Sequence, residues 1–161
     1  MMNGRAAIDS HRKRIEAVFD RSKKLMDDQE LLADQARYLC VLVAGFIEKA
    51  MSEVVLEYTR RHGARSLQRY VEKGTSRFTS ANSAKVLALL GSFEPSWSDQ
   101  IGNILVDEYK DAFDSVVTNR HQIAHGISVG LTYARMRDYF RAIVHVIDKI
   151  EDLCIPPSVP P

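Results

Sequence analysis

The chain has 161 residues, 45% of them hydrophobic and 27% charged, the balance of a folded protein with length for one domain and one buried core. A formal net charge of +1 excludes whole-molecule attraction to nucleic acid or to a membrane surface, so any such binding must come from a local patch. No run of about 18 apolar residues occurs, which argues against a membrane-spanning helix, and the charged opening "MMNGRAAIDSHRKR" lacks the apolar core of a secretory signal.

Taken in chain order, the periodicity is helical throughout. From Ala7 to Met26, Ile8, Ile15, Val18, Phe19 and Leu25 recur at three- and four-residue steps amid Arg and Lys, predicting a two-sided helix. A second run, Leu31 to a stop at Gly63, ends in a basic turn where the helix dipole favours cations. Between Leu39 and Ile47 it is apolar nearly all round, so it is expected to be the central helix, buried on several sides. A short helix over Ala64–Lys73 follows, stopped by Gly74. Another, "SAKVLALLG", is capped by Asn82 or Ser83 and closed by Gly91. "SFEPSWSDQ" reads as a loop, because Pro95 bars a helix through that point, with Phe93 and Trp97 pinning it to the core. A helix resumes near Asp107 and carries Tyr109, Phe113, Val116, Val117, Ile123 and Ala124 as its inward stripe up to Gly126. After the link "GISVGL", Thr132 caps a last helix lined by Met136, Phe140, Ile143, Val144, Ile147, Ile150 and Cys154. The expected architecture is all-α. It is an up-and-down bundle of three or four long helices, with short ones inserted between Gly63 and Gln100, forming one domain over residues 1–154. A Pro-rich tail, 155–161, is expected to be loose.

Cys40 and Cys154 sit far apart in apolar runs. They read as buried thiols in a reducing compartment rather than as a disulfide, which makes the cytoplasm the expected location.

The densest polar cluster is "TNRHQIAHG", Thr118 to Gly126. His121 and His125 are four apart and share a helix face. Arg120 and His125 are five apart, about 140° around the axis and about 7.5 Å along it, within reach of a swinging guanidinium. Three readings stand. The cluster is a solvated helix end with cations where unpaired carbonyls favour them. Or His121 and His125 bind a metal, although two ligands are too few for a zinc site and no H-E-x-x-H pattern occurs. Or it performs acid–base chemistry on a phosphate ester, an imidazole moving a proton while a permanent cation stabilises charge on phosphoryl oxygens.

"RHQIAHG" resembles the R-x4-H motif of the HEPN superfamily of all-α ribonucleases. The surroundings resemble one branch, the RiboL-PSP-HEPN type: "YLCVLVAGFIEKAMSEVVLEY" is similar to its long second helix, "KVLALLGSFEPSW" to its insert, and "NRHQIAHG" with "SVGLTYARMRDYF" to its final helical pair. The likeness covers roughly Gln29 to Leu153. It implies a metal-independent endoribonuclease, needing no cofactor, in which the ribose 2′-OH is the internal nucleophile and a cyclic phosphate is left. By that likeness His125 assists proton transfer, Arg120 holds the scissile phosphate, His121 orients or assists, and Asn119 hydrogen-bonds substrate. The resemblance further implies an RNA substrate, a homodimer whose two motif helices share one cleft, and a role as toxin or defence effector with an antitoxin or effector-complex partner. Its alternative is a HEPN-like module that serves dimerisation or nucleotide or RNA binding without catalysis.

Two secondary features bear on this reading. Arg61, Arg65, Arg69 and Lys73 fall at four-residue steps and would form one stripe able to track an RNA backbone, if the turn at Gly63 keeps their register; the alternative is a solvated face. Glu48, in the most apolar helix, needs a partner if buried, and is expected either to pair with Arg120 or another cation and tune the Arg–His set, or to reach solvent.

Overall fold

The computed structural model describes residues 3–159, so expectations touching Met1, Met2, Pro160 and Pro161 lie outside the described residues. Seven α-helices follow one another: α1 Gly4–Ser22, α2 Gln29–His62, α3 Arg65–Thr75, α4 Ser83–Phe93, α5 Pro95–Ile104, α6 Asp107–Ala124 and α7 Tyr133–Cys154. A single 3-10 turn, Lys23–Leu25, follows α1, and no strand occurs among the described residues. The four long helices and three short ones make the all-α bundle that the periodicity predicts.

Side-chain caps define several of the starts. Asn3 accepts from the Ala6 N–H, Asp28 from Leu31, Asn82 from Lys85 and Thr132 from Arg135, each satisfying a donor that the first helical turn leaves free. The long α2 is the centre, packed by α1, α7, α6 and α3, while α4 and α5 pack on each other and reach α6 and α7 respectively. Phe140 of α7 stacks on Phe19 of α1 at 5.2 Å and meets Phe46 of α2 edge-on at 5.8 Å. This aromatic joint locks three helices together, and truncating Phe140 to Ala would cost about 3–5 kcal/mol. Gly4 lets the start of α1 lie against α2: a Cβ there would stand 2.7 Å from the Glu57 Cβ, and the Gly4 N–H donates to Glu57 Oε2 at 3.1 Å.

Four expectations change. Pro95 does not bar a helix but starts one, at the first position of α5, where its missing N–H would have had no partner in any case. Trp97 is nonetheless buried, edge-on to Tyr58 at 4.7 Å. Val41 remains 41% exposed within the expected all-round apolar stretch of α2. The C-terminal tail is not loose at its start: Ile155 is fully buried, and Arg61 Nη1 donates to the Pro156 carbonyl at 2.7 Å. Gly63 is extended (φ −120, ψ 158), so α3 leaves in a new direction and Arg61 drops out of the stripe with Arg65, Arg69 and Lys73. Its Nε instead bonds Glu57 Oε1 at 3.1 Å.

Candidate functional site at the end of α6

The first half of α6 is tied down. Asp114 accepts from the Ser83 N–H at 2.9 Å, the Ser83 hydroxyl at 2.7 Å and Lys110 Nζ at 2.9 Å. Burial pushes the Asp114 carboxyl up, but the bonds from Lys110 and Ser83 outweigh it and hold the group below the usual carboxylate range. On the neighbouring face, Ala112, Phe113 and Val116 are fully buried, and the Cys40 thiol of α2 donates to the Val116 carbonyl at 3.4 Å. Burial pushes that thiol up to about 12, and the nearby charge of Arg120 opposes the rise. Arg120 is therefore close enough to Cys40 of α2 for its charge to be felt there. No pattern in the sequence marks that neighbourhood.

Beyond Val116 the helix emerges from the bundle. Val117 and Ile123 are half-buried, and Arg120, His121 and His125 are exposed. Ala124, expected to pack inward, is exposed as well. It stands one turn past Arg120 on the same side of the helix, so the geometry that frees the guanidinium frees it too.

The helix stops in a closed cap. The His125 N–H donates to the carbonyls of His121 and Gln122 at 3.2 and 3.1 Å, Gly126 donates to Ile123 at 3.1 Å, and Ile127 reaches back to Gln122 at 2.9 Å. This is a Schellman arrangement, and it requires the left-handed φ of +70° at Gly126. The cap fixes the His125 backbone at φ −94, ψ 11. His121 and His125 consequently stand ring to ring, 4.4 Å between centroids and inclined at 60°. Asn119 is half-buried and donates to the Ser115 carbonyl at 2.8 Å, which takes one of its two amide hydrogens. None of Arg120, His121 and His125 joins an ion pair among the described residues.

The structure gathers Asn119, Arg120, His121 and His125 into the last turn and a half of α6, but not the other candidates. Glu48 makes no ion pair with Arg120. Its Oε1 accepts from the Ser80 N–H at 2.9 Å, and it lies eight residues from Cys40, about 12 Å along α2. Its partner is the backbone of a turn in which Ser80 has a φ of 53°. Arg65, Arg69 and Lys73 are exposed on α3. From Cys40 to His62, after which α3 begins, α2 runs about 33 Å, so these cations belong to another part of the surface.

The last turn of α6 can offer a phosphate a permanent cation, and a proton donor and acceptor in two adjacent imidazoles. Among the described residues no group of three or more His, Cys, Asp or Glu is disposed to hold a metal ion, and His121 with His125 is a pair short of a zinc ligand set. Among the described residues no helix is long and apolar enough to cross a membrane. A family model described as RiboL-PSP-HEPN matches residues 9–155. Comparisons with curated proteins and with solved structures give no match.

Proposed function

The chain belongs to the RiboL-PSP-HEPN family, and on that premise we propose that it is a metal-independent endoribonuclease whose active residues are Arg120, His121 and His125. The observation that carries the reading is the capped end of α6: two imidazoles stand 4.4 Å apart, Arg120 on the same stretch of helix joins no ion pair among the described residues, and all three side chains are exposed. RNA supplies its own nucleophile. The 2′-oxygen attacks phosphorus and loses its proton, the bond to the 5′-oxygen breaks, and that oxygen takes a proton, leaving a 2′,3′-cyclic phosphate. His125 moves a proton, His121 orients its ring or carries the second proton, and Arg120 neutralises the charge gathering on the non-bridging oxygens. Asn119 positions the substrate backbone. Little equipment suffices because the nucleophile is already held next to the phosphorus.

On one chain this site is an open surface, where water screens the guanidinium. A homodimer with two α6 ends facing one cleft would supply the missing wall and a second Arg–His set. Such an enzyme fits a toxin or defence effector restrained by a partner protein.

The test is cleavage of mixed single-stranded RNA in EDTA. The parent is expected to cut RNA but not the matching DNA, which lacks the 2′-hydroxyl. Arg120→Ala and His125→Ala are each expected to lower the rate by about 10²–10⁴-fold, and the parent's specific activity should rise with protein concentration through dimerisation. Both substituted side chains are exposed, so the variants should melt as the parent does. Binding of RNA without cleavage by the parent would instead favour a non-catalytic RNA-binding module.

A further inference from the structure

A second surface, at the opposite end of α2, has the build of a docking groove. The 11-residue α3 has no buried residue, yet it carries Leu67, 51% exposed, and Tyr70, 77% exposed. These two, with Val71, wall a cavity of about 800 Å³ whose floor is Tyr58, Leu89 and Phe93. Large exposed apolar side chains gathered along one groove mark an interaction site. The outer side of α3 is of opposite character. At 100° per residue, Arg65, Arg69 and Lys73 fan over about 80°, and Tyr70 begins the apolar side about 60° further round. Arg77 lines the cavity itself. None of these four cations joins an ion pair among the described residues, whereas Lys49, Arg60 and Arg61 on the neighbouring helix are all engaged by Glu53 or Glu57. Glu72 is the one acid on α3.

We infer that this groove receives an amphipathic helical segment of a partner protein with an apolar stripe and acidic flanks. Leu67, Val71 and Leu89 offer aliphatic depth that suits branched apolar anchors, and the rings of Tyr58, Tyr70 and Phe93 complete an apolar trough for them; because such rings can also stack on bases, RNA is the rival occupant that the test must exclude. The charge decides for acidic flanks, since Arg77 lines the cavity and Arg65, Arg69 and Lys73 stand on the outer side of the helix that walls it, with only Glu72 on that helix to oppose them. The length of α3, about 16 Å, accommodates anchors spaced i, i+3 or i+4, and i+7. The site is separate from the end of α6, so the inference does not depend on the ribonuclease reading.

The test uses the full chain carrying Arg120→Ala and two fluorescein-labelled synthetic helices of about four turns with identical leucine stripes. One bears Glu flanks and the other Lys flanks, and binding is read by fluorescence anisotropy at low and high salt. The acidic helix is expected to bind at least about tenfold more tightly than the basic one, more weakly as salt rises. Leu67→Asp should weaken it about tenfold or more. Arg69→Glu with Lys73→Glu should reverse the preference between the two helices. Because α3 buries none of these side chains, circular dichroism should show each variant folded. Equal binding of the two helices, no binding of the acidic one, or an unreversed preference would overturn the inference. So would a labelled 12-nucleotide uridine RNA that binds the parent chain, loses binding on the Arg69/Lys73 reversal, and finds the acidic helix unable to compete. The Arg120→Ala background should leave peptide affinity unchanged, so failure here and failure of the ribonuclease reading are separate results.

Discussion

Replacing Glu151 with Gln should make the protein more stable at pH 8 and leave it nearly unchanged at pH 5. Glu151 is only 7% exposed, on α7 facing α1. Burial raises its carboxyl from an ordinary 4.5 to about 7, with Arg5 pulling against the rise and Asp148 and Asp152 adding to it. The Arg5 ion pair, at 3.8 Å from Nε to Oε2, is too long to offset the lost hydration. Because the folded state holds this proton more tightly than the unfolded chain, the group's contribution is fully present below the unfolded value and is lost as pH rises through about 7. At about 1.4 kcal/mol per tenfold in proton affinity, the loss is about 3 kcal/mol at pH 8. Gln cannot ionise and escapes it. Thermal melts of parent and variant from pH 5 to 8 should diverge steadily, reaching about 6–12 °C in Tm at the alkaline end. The reasoning fails if the two curves stay parallel, or if the variant is the less stable at pH 8, since either result makes the Arg5 pair stronger than the cost of burial. Below about pH 4 both proteins should weaken together. Glu57, which burial raises but Gly4, Arg61 and Arg60 together bring below its ordinary value, and Asp114, held down by Lys110 and Ser83, then take up protons.

Two further substitutions test the α6 cap and the role of Glu48. Gly126→Ala meets no atom within 4 Å, so its cost is the left-handed backbone alone, about 1–2 kcal/mol. It should lower Tm by about 2–8 °C and reduce RNA cleavage with it, whereas Gly126→Asn should do less of both; a neutral Ala variant would refute the cap. Glu48→Ala strands the Ser80 N–H and should cost about 1–3 kcal/mol, while Glu48→Gln, which keeps an acceptor oxygen, should cost little. Neither should move the pH profile of cleavage, and a shifted profile would restore Glu48 to the Arg–His set.

The long helices were legible because apolar positions at three- and four-residue steps demand a buried face, and Thr132, Asn82 and Gly126 carry their cap roles in their own chemistry. What was not legible depends on neighbours in space. Pro95 reads equally well as a barrier or as a first helical residue, and only the chain direction set by Glu94, extended at φ −142, ψ 117, decides between them. The stripe from Arg61 to Lys73 looks continuous in sequence but spans a glycine whose extended backbone turns the helix away. Glu53, Glu57 and Glu151 are buried carboxylates that the sequence reading passed over. The first two do leave a trace, since they lie four apart with Lys49, Arg60 and Arg61 at the three- and four-residue spacings that pair charges on a helix.

The candidate site was legible as spacing and illegible as surroundings, for a physical reason. Arg120, His121 and His125 are placed by one helix and its cap, so three and four residues of separation carry nearly all of their mutual geometry. Everything that would tune them comes from elsewhere. The sequence suggested Glu48 for that role because a carboxylate in an apolar helix must find a partner, and it found the Ser80 backbone instead. The buried Cys40 thiol feels the charge of Arg120, but burial holds it protonated, so it neither pairs the guanidinium nor competes for it. A cation that stays unpaired at the surface keeps its full charge for an incoming phosphate, whereas the engaged Arg60 and Arg61 do not. For this chain, the absence of a carboxylate paired with Arg120 among the described residues is therefore as much a part of the proposed chemistry as the histidines. Placing one there, by Ala124→Glu on the same side of the helix one turn on, should weaken RNA binding while leaving Tm within about 2 °C. An unchanged affinity would mean that Arg120 does not hold the phosphate.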